Sequence, residues 1–293
     1  MEQNWSTEQE IAHFKEIWEY RRPGHEKQHT KERWDERARE WAGRMGKDEH
    51  QGRVKATAEY FRAHGLLSGG DDVIDVGCGP GRFVVEFAKT ARHVVGTDLS
   101  ARMLAYGAQH AGEMRAENTS YVEADFQKAD LDELGWRKRF DLVFSSITPA
   151  IGGPGLQKLM DMSRGWCFNS CVVRSAGGLE DELAQNVLGG GLRAERNGHW
   201  QWFYALFNLL LLEGYFPETT YYKETKRTVV QADTATARVY AERLARAYGL
   251  EEDELFRPVA RYLERQADGN GLLSRCGDSW YGWILWNVNS KKW

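Results

Sequence analysis

The chain has 293 residues, and its 39 Lys and Arg against 43 Asp and Glu give a formal net charge of −4. Hydrophobic residues make up 42% of the chain and charged residues 28%, which are ordinary proportions for a globular protein. The chain is also long enough to bury a core, so wholesale disorder is excluded. A mildly acidic chain without a basic block lacks the charge that grips a nucleic acid backbone, so no nucleic acid partner is expected.

Membrane and secretory classes are also disfavoured. Residues 1–18 contain no apolar stretch of the kind that a signal peptide needs, and the apolar residues 202–212 fall short of the roughly 20 that span a bilayer. The four cysteines are too sparse for a disulfide framework. We therefore expect a cytoplasmic protein with no membrane partner, and the oligomeric state stays open.

The first 65 residues read as charged helices that carry tryptophans. Trp34, Ala38 and Trp41 recur at i, i+4 and i+7, which is the spacing of one helix face. Helices are predicted around residues 14–18, over 31–45 and over 54–64. We interpret residues 1–65 as an N-terminal helical lid over a ligand site.

From residue 66 the pattern changes to short β-branched runs that alternate with helices. Strands are predicted at 72–76, 94–98, 121–125, 140–145 and 167–175, with helices at 83–90, 101–113 and 156–164. This alternation indicates a parallel sheet with right-handed crossovers. We interpret residues 66–178 as a ligand-binding core.

The remaining third of the chain mixes helices and strands. Helices are predicted at 179–186, 199–213, 235–248 and 251–266, and strands at 218–230 and 279–288. We assign residues 179–231 to the completion of the core, 232–278 to a helical insertion that caps the substrate, and 279–293 to the final strand of the core.

A glycine-rich turn follows the first predicted strand. Gly77, Gly79 and Gly81 stand directly before a helix, where backbone N–H groups can approach a ligand without interference from Cβ atoms. A dinucleotide-binding turn needs a small residue at position 82, which is Arg82 here, and a phosphate-binding P-loop needs a Gly-Lys-Ser/Thr sequence that is missing. The alternative is a tight strand-to-helix turn without a ligand.

Acidic residues occur at the ends of three predicted strands. Asp98 lies 21 positions after Gly77, close to the interval of about 20 at which a carboxylate reaches ribose hydroxyls in related sites. Asp75 and Asp125 also lie near the carboxyl ends of strands, where open α/β sheets bind ligands. The alternative for Asp98 and Asp125 is that they cap the following helices.

In combination these motifs resemble the class I S-adenosylmethionine-dependent methyltransferases. That family has an acidic residue two positions before G-x-G-x-G, acidic residues that end strands two and three, and a strand-four motif like Phe140 to Val143. The resemblance implies an α/β fold with a doubly wound, Rossmann-like sheet of seven mostly parallel strands, the last antiparallel. It also implies S-adenosylmethionine as cofactor and S-adenosylhomocysteine as product.

The resemblance also implies where the cofactor binds. The methionine portion would lie over the glycine turn with Asp75 near its amino group, and Ser145 would lie near the methyl group. Trp34 would contact the sulfonium by a cation–π interaction or, alternatively, only pack against the sheet. The predicted cofactor-binding residues are Asp75, Gly77, Gly79, Gly81, Asp98, Leu99, Met103, Asp125, Phe126, Ser145 and Trp34.

The sequence identifies neither a catalytic residue nor a metal site. Cys167 and Cys171 would share one strand face, but core packing is favoured over metal binding because no second ligand pair accompanies them. The expected reaction is methyl transfer to a small-molecule acceptor. The alternatives are a protein or RNA acceptor, or a protein that binds S-adenosylmethionine without catalysis.

Overall fold

A computed structural model of the chain describes residues 5–20, 29–43, 45, 48–189 and 198–292. The chain divides into two compact units. Unit 1 comprises Met1–Cys171, Trp202–Thr220 and Gly282–Trp293, and unit 2 comprises Val172–Gln201 and Tyr221–Tyr281. The five segments expected from the sequence, including the lid and the substrate cap, stay predictions.

Within the described residues, seven strands form one sheet. They are β1 (Asp72–Val76), β2 (His93–Asp98), β3 (Thr119–Glu123), β4 (Phe140–Ser146), β5 (Ser163–Gly177), β6 (Glu218–Gln231) and β7 (Leu272–Asn287). Their order is β3-β2-β1-β4-β5-β7-β6. β1 pairs in parallel with β2 and β4, so Ile74 lies opposite both Val95 and Val143. The pairs β2–β3 and β4–β5 are parallel as well.

β7 runs antiparallel to both of its neighbours. Beside β5, Ser279 meets Ser175 and the N–H of Val288 donates to the carbonyl of Gly165, so the residue numbers run in opposite directions. The side-chain pairs between β6 and β7 show the same reversal: Thr225 with Asp278 and Arg227 with Ser274. The predicted α/β fold with a mostly parallel, seven-stranded Rossmann-like sheet is confirmed.

Helices flank these strands along the chain. They are α1 (Thr7–Glu19), α2 (Lys31–Ala42), α3 (Asp48–Ala63), α4 (Arg82–Ala88), α5 (Ala101–Glu113), α6 (Gly155–Met162), α7 (Gly178–Val187), α8 (Gly198–Leu212), α9 (Thr234–Tyr248) and α10 (Glu252–Gln266). Across the described ranges, no helix combines the length and the apolar character needed to cross a membrane.

Two strands are longer than the sequence pattern predicts. β7 begins at Leu272 rather than at residue 279, and β5 begins at Ser163 rather than at 167. The early part of β7 carries Arg275 and Asp278, which interrupt the apolar alternation. Pairing with the neighbouring strand β6 extends β7 there, because backbone hydrogen bonds do not depend on side-chain polarity.

Each unit has its own apolar core. The core of unit 1 includes Ile74, Val143 and Trp286 from the sheet and Leu206 from α8. The core of unit 2 packs α7, α9 and α10 together, with Leu183, Leu244 and Val259 fully or almost fully buried. Burial of one such side chain stabilises the folded state by about 1.5–3 kcal/mol.

One aromatic ring limits the size of the side chains that fit at neighbouring positions in the glycine turn, β2 and α5. The side chain of Tyr121 on β3 occupies the space left by three glycines. A Cβ atom would lie 2.6 Å from the Tyr121 ring at Gly107, 3.1 Å from it at Gly96, and 2.7 Å from its hydroxyl oxygen at Gly81. Distances below 3.0 Å are not tolerated without movement, so the ring depends on Gly81 and Gly107, whereas a Cβ at Gly96 would first meet Sγ of Cys78 at 2.9 Å.

Two alanine substitutions in α5 test this packing. Gly107→Ala should destabilise the protein by about 1–3 kcal/mol, because the new methyl group overpacks against Tyr121. Gly112→Ala in the same helix meets no described atom within 4 Å and should stabilise it by about 0.5–1 kcal/mol, since alanine has the higher helix propensity. Urea unfolding of both variants measures the difference. Equal effects of the two substitutions would contradict the role given to Tyr121.

Candidate functional site

A cleft of about 810 Å³ lies in unit 1 at the carboxyl ends of the parallel strands. Its floor is the turn that follows β1 and the end of β2, and its walls include the segments after β3 and β4. Residues of α2 and the first residues of α4 and α5 also line it. This is the edge of an open α/β sheet at which ligands bind.

The glycine turn has one crowded position and one open position. Gly77 has a φ of +72°, and a Cβ there would lie 2.2 Å from Oγ1 of Thr148. Its N–H donates to the carbonyl of Thr97 at 2.8 Å, which fixes the turn on β2. Gly79 has a φ of +54°, and no described atom lies within 4 Å of its Cβ position. A ligand can therefore approach the backbone at Gly79.

Asp98 joins this turn to the start of α5. Its Oδ2 accepts from the N–H of Gly79 at 2.9 Å, and its Oδ1 accepts from the N–H of Ser100 at 2.9 Å. Burial raises the pKa of Asp98, and these N–H groups oppose the increase. The N-cap of α5 is Ser100 rather than Asp98, because the Ser100 Oγ accepts from the Met103 N–H. A carboxylate offers about four acceptor positions, so Asp98 can still accept from ligand hydroxyls.

Asp75 is a buried carboxyl with an unused oxygen. Only 2% of the residue is exposed, and no described group donates to its Oδ2. Burial raises its pKa to about 8, the nearby Asp98 carboxylate adds to the shift, and the Arg82 and Arg53 guanidinium groups oppose it. An unsatisfied buried oxygen is costly, and this one borders the cleft. The site therefore favours a ligand that supplies a hydrogen-bond donor to Asp75, above all a positively charged donor.

The segment after β3 forms another wall of the cleft. The Asp125 carboxylate pairs with the ammonium of Lys128 at 2.8 Å, and Phe126 is buried in the core of unit 1. Asp125 begins a turn rather than a helix. The Lys158 ammonium of α6 donates to the carbonyls of Gln127 and Ala129, both at 2.7 Å. Lys158 thus fixes this wall, although the sequence motifs did not indicate it.

α2 contributes aromatic side chains to the cleft. Trp34 and Trp41 both line it, with ring centroids 6.4 Å apart, and the guanidinium of Arg37 lies over both rings at 5.0 and 5.8 Å. Leu99 and Met103 line the cleft beside them. The indole of Trp34 therefore already packs against one cation and borders the ligand space as well.

Nine of the eleven predicted site residues line this cleft, and Gly81 and Ser145 do not. Gly81 packs against Tyr121 below the turn. Ser145 is fully buried, where its hydroxyl donates to the carbonyl of Phe168 at 3.0 Å. Successive strand residues point to opposite sides, so it is Ser146 that borders the cleft. The Ser146 hydroxyl accepts from Nη1 of the buried Arg53 at 2.7 Å.

The loop after β4 includes a residue with strained backbone. Ile147 has a φ of +54°, which a β-branched residue rarely adopts, and 45% of it is exposed beside the cleft. Its N–H donates to the carbonyl of Ser170 at 2.8 Å, which holds the conformation. The motifs in the sequence missed Ser146, Ile147 and Thr148. Their position at the carboxyl end of a central strand is the signal that could have identified them.

The cysteines of β5 are placed in the core. Cys167 and Cys171 are both buried and form no disulfide, and burial raises the pKa of both thiols, that of Cys171 to about 12. Protonated thiols are poor metal ligands. Nor does any group of three His, Cys, Asp or Glu side chains in the described part of the chain have the arrangement of a metal site.

The sequence from β1 to the start of β5 matches a known family. Residues 73–163 match the family described as "Methyltransferase domain". These residues are a methyltransferase domain. The domain contains the glycine turn, Asp98, the segment after β3 and the loop after β4, which together form most of the cleft.

A curated relative matches over the same length. The chain is similar to the 23S rRNA (uracil(1939)-C(5))-methyltransferase RlmD of Aeromonas salmonicida, with 34% identity over 91 residues. The match covers 31% of this chain and 20% of the relative, so the chain spans about one fifth of the length of that protein.

Two solved structures are similar at low identity. Magnesium protoporphyrin IX methyltransferase from Synechocystis, with bound S-adenosylhomocysteine, is 20% identical to this chain and has a TM-score of 0.45. The alignment covers 59% of this chain and 77% of the chain of that enzyme. A putative methyltransferase from Bacillus halodurans is 15% identical to this chain and has a TM-score of 0.48. The alignment covers 80% of this chain and 99% of that protein's chain.

The buried carboxyl of Asp75 predicts a pH dependence of stability. Its pKa of about 8 in the folded chain exceeds the ordinary value of 3.8, so folding takes up a proton between these values. Stability therefore falls as the pH rises through this range, by up to about 1.4 kcal/mol per pH unit. Asp75→Asn cannot ionise and should lose this part of the pH dependence. Urea unfolding of both proteins at pH 5, 6.5 and 8 measures it, and parallel pH profiles would contradict the assignment.

Proposed function

We propose that the chain binds S-adenosylmethionine in the cleft and transfers its methyl group to a small-molecule acceptor, with S-adenosylhomocysteine as product. The observation that carries the proposal is the unpartnered Oδ2 of buried Asp75, in one cleft with the open backbone of Gly79 and the carboxylate of Asp98. These groups fit a ligand that has an ammonium, a chain lying against the turn and a pair of hydroxyls.

The chain's own residues have distinct roles in this proposal. Asp98 accepts from the ribose hydroxyls with the oxygen positions that Gly79 and Ser100 leave free. Asp75 accepts from the ammonium of the methionine portion. The walls around the adenine are Leu99, Met103, Asp125 and Phe126, and Trp34 borders the ligand space from α2. Gly77, Gly81 and Ser145 support the site through the packing described above.

When bound, S-adenosylmethionine supplies an activated methyl group, so the protein has little covalent chemistry to perform. Its task is to hold the acceptor in line with the methyl group and to exclude water. Ser146 and Ile147 lie at the carboxyl end of β4, and we propose that they contact the acceptor. The sequence identifies no general base, which suits an acceptor that is already a good nucleophile.

Two features favour a small acceptor. Beyond the proposed cofactor residues, the cleft offers large apolar side chains for an acceptor, namely Trp41, Met45, Phe83, Ile147 and Pro149, beside charged ones such as Lys31, Arg82 and Lys128. A net charge of −4 disfavours phosphate-rich acceptors. The cysteines form no disulfide, which suits a reducing compartment, and we propose a cytoplasmic location.

The resemblance to an rRNA methyltransferase does not favour an RNA acceptor. The 91 matched residues equal the methyltransferase domain in length and make up only one fifth of that relative. Such a domain carries the proposed cofactor residues, whereas the acceptor of a methyltransferase depends on parts outside it as well. An RNA acceptor, a protein acceptor and binding without catalysis are therefore outcomes that the experiments below distinguish.

The cofactor is tested by calorimetry. S-adenosylmethionine and S-adenosylhomocysteine should bind, and NAD should not, because position 82 lacks the small residue of a dinucleotide turn. Asp98→Asn should weaken the binding of S-adenosylhomocysteine by about 1.5–3 kcal/mol, since a charged acceptor for the ribose is lost. Glu113→Gln, at the exposed far end of α5, is the matched control and should bind normally. A folded sample that gives no heat with either adenosyl ligand would falsify the proposed cofactor.

The acceptor class is tested with methyl-labelled S-adenosylmethionine. The protein is incubated with a cell extract that has been divided into small-molecule, protein and RNA fractions. We expect the label to appear in the small-molecule fraction with wild-type protein and to fall at least about tenfold with Asp98→Asn. Label in RNA or protein contradicts the small acceptor. Cofactor binding without labelled product in any fraction supports a binding protein instead.

A further inference from the structure

Helix α2 is hydrogen-bonded to the segment between Asp98 and the start of α5. One carboxylate oxygen of Asp35, Oδ1, accepts from the hydroxyl of Ser100 at 2.5 Å and from the N–H of Arg102 at 3.3 Å. Ser100 is fully buried, and its N–H donates to Oδ1 of Asp98. A continuous series of hydrogen bonds therefore runs from Asp35 through Ser100 and Asp98 to the N–H of Gly79.

The bond between Asp35 and Ser100 is a strong one by its chemistry. A hydroxyl that donates to a carboxylate at 2.5 Å has the length of a charge-assisted hydrogen bond. The pKa of Asp35 lies below its ordinary value, chiefly because of this bond to Ser100. A second connection between α2 and the sheet, the ion pair of Lys31 with Glu123, is exposed on both sides and contributes less.

The direct charge effect of Asp35 on the site is unfavourable. Its carboxylate raises the pKa of Asp98, because two like charges near one another resist ionisation. A benefit of Asp35 to ligand binding therefore acts through the positions of the groups that it holds, above all Ser100. The Ser100 hydroxyl has a defined orientation because it accepts from the Met103 N–H while it donates to Asp35.

We propose that Asp35 is a positioning residue that links α2 to the cofactor site through Ser100 and Asp98. The inference rests on the proposed function, because Asp98 is taken to hold the ribose. Docking of α2 orders Ser100 and Asp98, and it also places Trp34, the residue before Asp35, in the wall of the cleft. Linkage is reciprocal, so a bound cofactor must stabilise the docked α2 by the same factor.

The test compares three variants in α2. Asp35→Ala removes the acceptor and should weaken the binding of S-adenosylhomocysteine about tenfold. Asp35→Asn keeps an oxygen that accepts from Ser100 and loses the charge that opposes Asp98, so it should bind within about threefold of wild type. Glu36→Ala, at the exposed neighbouring position, is the matched control and should bind like wild type.

Hydrogen exchange separates a positioning role from a general loss of stability. In wild type, S-adenosylhomocysteine should slow exchange in residues 31–42, and this protection should be lost in Asp35→Ala while exchange in the strands of the sheet changes little. If Asp35→Ala binds and protects like wild type, the link is overturned and the cofactor site stands. If wild type itself does not bind S-adenosylhomocysteine, the proposed function is overturned and the link with it.

Discussion

The site depends on one carboxylate that bonds to two turns at once. Asp98 ends β2, and it accepts from the turn after β1 at Gly79 and from the first residues before α5 at Ser100. Each of these turns presents backbone N–H groups that need partners at the end of a strand. Because the carboxylate satisfies both, the glycine turn and the start of α5 hold fixed positions relative to one another, and the cleft forms between them.

The same carboxylate explains why the cleft suits a ligand. Burial raises the pKa of both Asp75 and Asp98, and the nearby Asp98 carboxylate raises that of Asp75 further. Without a ligand, the poor hydration of these two carboxyl groups costs free energy. A bound ammonium and a pair of hydroxyls would supply the donors that the two carboxyls lack, so the unfavourable electrostatics of the empty cleft become favourable contacts in the complex.

The sequence predicted the parts of the site that depend on local spacing. Asp98 and the glycine turn follow from the distance between strand ends, and these elements form where they were expected. Ser145 was expected at the methyl group, but the strand places its hydroxyl inside the sheet and Ser146 at the cleft. Which of the two serines reaches the cleft depends on a shift of one residue at the end of β4. The alternation of side chains along a short, mostly buried strand does not predict a position to within one residue.

Contacts between distant segments were beyond the reach of the sequence. Arg53 reaches Ser146 across 93 positions and Lys158 reaches the segment after β3, and neither contact has a local pattern. The role of Gly81 depends in the same way on the ring of Tyr121.

This last packing has a consequence for how the sequence can change over evolution. Tyr121, Gly81 and Gly107 occupy one volume, so none of them can vary alone without a clash or a void. A smaller residue at 121 would have to arise together with larger residues at the positions that can accept a side chain. At Gly81 the positive φ disfavours even that exchange. Homologous chains should therefore show covariation between positions 107 and 121, while position 81 stays glycine.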